Sequence, residues 1–73
     1  MTLRDGQIGQ SYIVKELELE AGARRRLEAL GLIQGTQIQL LNQNNDGAVV
    51  FKVRGTRLAV GNKIAESINI KEV

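Results

Sequence analysis

Ten lysines and arginines against eight aspartates and glutamates, in 73 residues without cysteine or histidine, describe one small domain of net charge +2. The missing histidine and thiol groups exclude structural zinc, haem ligation, disulfide bracing and histidine-based acid–base chemistry. The mild charge implies no strong pull toward nucleic acid or anionic lipid, and no apolar run approaches the roughly 20 residues of a membrane span.

From the N-terminus, Thr2 to Gln10 reads as an approach segment whose Gly6 and Gly9 bracket a turn. Its polar start, with Thr2, Arg4 and Asp5, shows no signal-peptide pattern, so a soluble cytoplasmic domain is expected. Tyr12-Ile13-Val14 and the alternation that follows predict a strand from about Ser11 to Glu18. A helix is expected from about Ala21 to Leu30, well formed from Ala23 because Gly22 weakens the first turn. Leu27 and Leu30 lie three apart on one face of it, with Ala23 four residues before Leu27. Gly31 suits the left-handed residue that ends a helix, after which Leu32 folds back on the last turn. Gly35 permits a second sharp turn, and the second strand runs from about Thr36 to Leu41, with Ile38 and Leu40 alternating with Gln37 and Gln39.

Asn42 to Gly47 is a polar connection in which Asp46-Gly47 suits the positive backbone angles of a hairpin. A third strand, Ala48 to Val53, turns through Arg54-Gly55-Thr56, with Gly55 left-handed, into a fourth, Arg57 to Val60. Gly61-Asn62 breaks that strand, and Asn62 is suited to cap a helical turn reaching Ala65 or Glu66. A last strand spans about Ser67 to Lys71. Five short strands in so small a chain bury a core and lose their bare edges by curling up. The expected fold is mainly β: a small SH3-like barrel with one short helix after the first strand and a helical turn before the last.

The run Arg26-Leu27-Glu28-Ala29-Leu30-Gly31-Leu32, then Gly35-Thr36 with Ile38, Val53-Arg54-Gly55-Thr56-Arg57-Leu58-Ala59, and Ala65 before Ile68 and Ile70 occur in an order that resembles the ferrous-iron transport protein A (FeoA) family. The resemblance covers nearly the whole chain as a single domain, residues 1–73. Three positions depart from it: Gln34 stands where proline is frequent, Asn44-Asn45-Asp46-Gly47 replaces a glycine-aspartate-proline corner, and Val60-Gly61 replaces a leucine-arginine pair. The resemblance implies an SH3-like barrel and a non-enzymatic cytoplasmic role in bacterial ferrous-iron uptake. The implied partner is the large FeoB-type membrane transporter with its GTP-binding domain, and no cofactor is implied. Similar domains fused to metal-dependent repressors imply the alternative of a general docking or autoregulatory module.

A barrel of this size works through its surface. The exposed helix side presents Arg24, Arg25 and Glu28, while Arg54 and Arg57 flank the second hairpin. Arginine forks suit partner carboxylates or phosphates, although Arg24 and Glu28 also read as an ordinary solvated pair one helical turn apart. Leu32 and Ile33 are consecutive, so one of them is expected to form an apolar patch beside the helix, unless both pack over the barrel end. Glu16, Glu18 and Glu20 alternate as a strand face that reads as polar exterior rather than a cation site. A nucleic-acid reader would need stacking platforms, yet Tyr12 and Phe51 are the only aromatics and Phe51 sits in an apolar strand. Ser11 and Ser67 have no histidine base, so no nucleophile is marked. Oligomeric state is left open by these patterns.

Overall fold

The computed structural model describes all 73 residues, with strands β1 (Ser11–Leu17), β2 (Gln37–Gln43), β3 (Val49–Val53), β4 (Thr56–Val60) and β5 (Ile68–Glu72). Helix α1 (Ala21–Ala29) lies between β1 and β2, and the short helix α2 (Asn62–Glu66) between β4 and β5. All five strands form one antiparallel sheet in the order β4-β3-β2-β1-β5. Register shifts between Val14 and Glu16 and between Leu40 and Asn42 bend the sheet, since an extra residue on one strand kinks it and increases its twist.

Alternation along the strands decides what is inside. Val14, Ile38, Leu40, Val49, Phe51, Val53, Ile68 and Ile70 all turn to the concave face and are essentially sealed from solvent. No charged side chain joins them. Tyr12 enters this interior with its hydroxyl satisfied, because its oxygen accepts the Gln7 N–H at 2.8 Å.

Three expectations need correction. The curl does not close, because β4 and β5 are the unpaired ends of the sheet. The approach segment is not a plain turn: Leu3–Asp5 forms a 3-10 turn that drives Leu3 into the core with no exposed surface. It also shields one sheet end, through a Thr2–Asn69 bridge and an Ile70 N–H donating to the Met1 carbonyl at 2.9 Å. The Gln43 side chain donates to the Gly6 carbonyl at 2.9 Å and fastens the segment to β2. Asn62 does not cap α2 either. Gly61 is the cap residue, and Asn62 occupies the first helical position with its Oδ1 buried and unpartnered.

Helix α1 is peripheral, with no fully buried residue. Glu20 ends the extended chain and accepts the Ala23 N–H at 3.1 Å, which caps the first turn. Only Ala23 and Leu27 turn inward, half-buried, while Leu30 is 50% exposed. The expected inward stripe therefore stops one turn early. The helix ends at a Schellman motif, with the Leu32 N–H donating to the Leu27 carbonyl and the Gly31 N–H to the Glu28 carbonyl, each at 3.0 Å. Gly31 takes φ +103°, and the reversal carries Leu32 completely into the core.

Candidate functional site

The candidate side chains occupy three separate regions of the surface rather than one pocket. The first is a shallow trough between α1 and β1. Arg24 and Glu28, one helical turn apart, line it together with Glu16, Leu17 and Gln34. The trough is polar and ionic, with Leu17 as its one apolar residue, so it suits charged or hydrogen-bonding groups rather than an oily ligand. Arg25 is exposed on the same helix, outside the trough lining.

The second region is the corner after the helix. Of the consecutive pair, Leu32 is core and unavailable to any partner, and Ile33 alone reaches the surface, 37% exposed. Leu30, which the helical spacing assigned to the inward stripe, is exposed in the same corner. Arg54 crosses to this region from the β3–β4 hairpin, its side chain so close to Gly31 that a Cβ there would lie 3.2 Å from the arginine Cδ. A cation at this point faces the negative end of the α1 dipole. Arg54 itself takes φ +51° and Gly55 +79°, so both residues of the turn are left-handed, as the twist of a two-residue hairpin requires. Sequence assigned that conformation to Gly55 only.

The third region belongs to the sheet. Arg57 is exposed on β4 and borders a shallow apolar depression with Leu41, Val50, Leu58 and Ala59. Leu41 follows the buried Leu40 and so takes the outer face by simple alternation. The bulge between Leu40 and Asn42 brings Asn42 to that same face, opposite Val50.

The glutamates expected on one strand face are dispersed by the local structure. Strand β1 ends at Leu17, Glu20 caps α1, and the Glu18 carboxylate accepts the Asn69 amide at 2.7 Å. No group of three carboxylates converges with metal-holding geometry.

A bent five-stranded antiparallel sheet with a peripheral helix, an apolar interior and its ionic groups outside defines a small protein of the SH3-like class. The chain belongs to the FeoA domain family, whose sequence profile matches residues 1–72. Among known proteins it is similar to one from Methanocaldococcus jannaschii provisionally named Fe(2+) transport protein A, at 28% identity over 64 residues, covering 88% of this chain and 77% of the relative. The solution structure of a FeoA protein from Chlorobium tepidum superposes over the whole chain and 70% of its own, with a TM-score of 0.92 and 27% identity. A crystal structure described as an iron uptake regulatory protein (FeoA) superposes over the whole chain and 97% of its own, with a TM-score of 0.88 and 27% identity.

Proposed function

We propose that this chain is a non-enzymatic accessory of ferrous-iron uptake that binds a FeoB-type membrane transporter from the cytoplasmic side and modulates it. The observation that carries the reading is the family match along residues 1–72, on a fold with no charged side chain in its interior. Such a molecule acts by contact. The contact surface is the exposed side of α1 with Arg24, Arg25 and Glu28, the corner with Ile33 and Arg54, and Arg57 on the sheet. Iron chemistry lies with the transporter in this reading, since hard carboxylates are the only anionic side-chain donors in the chain and they stand apart. No helix of the chain is long and apolar enough to cross a membrane.

Co-purification with the detergent-solubilised transporter of the same organism tests the reading. Retention of the wild type and its loss in R24E/R25E, two exposed positions, place the interface on the helix. Equal retention of both keeps the role and moves the interface to the corner or the sheet. Absence of retention in every nucleotide state at low salt removes the accessory reading and leaves a free docking module.

A further inference from the structure

The two ends of the sheet are treated differently. Strand β5 is shielded by the N-terminal segment, whereas β4 pairs with β3 alone. Arg54-Gly55 is a two-residue turn, so Val53 and Thr56 exchange both backbone hydrogen bonds, and the alternation makes Phe51–Leu58 and Val49–Val60 hydrogen-bonded pairs as well. That parity points the N–H and C=O groups of Arg57 and Ala59 away from β3, into the open edge. An edge of this kind is a template for a further strand.

The side chains around it specify which strand. Ala59 stands opposite Val50 on the outer face, and with Leu41 they line an apolar depression beside the edge. Arg57 stands directly opposite Lys52, both exposed. Like charges facing each other across a ladder repel, and β2, β3 and β4 contain no carboxylate that relieves the pair. A second copy of the chain does not supply one either, because its own β4 has no acidic residue, and Arg57 guards the edge against self-pairing.

We propose that the β4 edge takes up a strand from a protein partner: an extended segment, antiparallel to β4, with an apolar residue opposite Ala59 and an aspartate or glutamate two residues later opposite Arg57. Backbone hydrogen bonds to Arg57 and Ala59 hold the segment, the depression receives its apolar side chain, and the carboxylate meets the Arg57–Lys52 pair. This goes beyond the transporter reading and stands or falls separately from it, since it names a chemistry and not a particular protein.

The test is a titration of the 15N-labelled full chain with the blocked peptide Thr-Thr-Val-Thr-Glu-Thr-Thr. Amide shifts concentrated at Arg57 and Ala59, with slowed hydrogen exchange there, are expected. R57E should weaken binding several-fold, and a peptide with lysine in place of glutamate should recover it on that variant. A peptide N-methylated at its valine and glutamate loses the two donors and should not bind. Absence of shifts at Arg57 and Ala59, or equal binding of the N-methylated peptide, overturns the proposal. The same shifts on raising the protein concentration alone would show a second copy on the edge and overturn it too.

Discussion

Gly47 and Asn62 show how much a single pair of residues settles. Gly47 takes φ +92°, and a Cβ built on it would lie 2.5 Å from the Asn62 Oδ1, the buried acceptor without a partner. Two separate penalties follow for G47A: backbone strain of about 1–3 kcal/mol and a collision with a side chain held by α2. N62A removes the collision and the orphaned acceptor together, so alone it should lie within about 1 kcal/mol of wild type. Denaturant unfolding of both single variants and the double variant is expected to show G47A partly rescued by N62A, with a coupling of about 1 kcal/mol. Additive effects would mean that the strain alone carries the loss. Sequence made half of this legible. Asp46-Gly47 marked the turn, and Gly47 is its left-handed residue, while Asp46 acts through its carboxylate, which accepts the Ala48 N–H at 3.0 Å. The meeting of Gly47 with a residue fifteen positions later is a tertiary fact with no local signature.

Among the elements, α1 and its exit separate what periodicity reads well from what it reads badly. The Gly31 stop and the return of Leu32 rest on local backbone geometry, and both are present. Leu30 fits the same apolar spacing as Leu27, yet it is exposed, because the helix lies at the rim and only its first two inward positions meet the core. Burial, rather than hydrophobicity, should therefore set the cost of substitution. L32A is expected to destabilise by about 2–5 kcal/mol, as deletion of a fully buried leucine side chain does. L30Q, a few residues away, should change stability by no more than about 0.5 kcal/mol. Chemical denaturation of the two variants decides this, and comparable losses would place Leu30 in the core instead. The strands were legible for the same reason that Leu30 was not: two-residue alternation reports a face directly, whereas a short helix with two apolar positions does not say how far it is pushed in. Leu41 faces outward as alternation from Leu40 requires. The depression beside Arg57 had no counterpart in the sequence pattern because it exists only where β2, β3 and β4 lie side by side and the bulge turns Asn42 to the same face.

At the scale of the molecule, the N-terminal segment joins both sides of the sheet, and a titrating group fixes its start. The Asp5 carboxylate accepts the Thr2 N–H at 2.7 Å. That backbone hydrogen bond, aided by the Thr2 hydroxyl and nearby positive charge and opposed by slight desolvation, holds its pKa below the ordinary 3.8. A carboxyl more acidic when folded adds stability above its unfolded pKa, and the contribution disappears as pH falls through the lower folded value. D5N should therefore melt below wild type near neutral pH, with the gap narrowing as pH drops through and below 3.8. Melting curves across that range test it, and a gap independent of pH would assign the effect to lost geometry rather than charge.

The 3-10 turn at Leu3–Asp5 and strand β5 are packed together although they lie at opposite ends of the sequence. During synthesis, β1 gains its neighbour β2 long before β5, and Leu3 waits for Ile68–Glu72 to be made before its own enclosure is complete. Contacts between such distant segments form late and slowly, because a large loop must close before they repay its entropy. A nascent chain stalled before Ile68 thus exposes Val14 and Leu3 to the crowded exit of the ribosome. The molecule should acquire its full protection from proteases only after its last strand has left the tunnel.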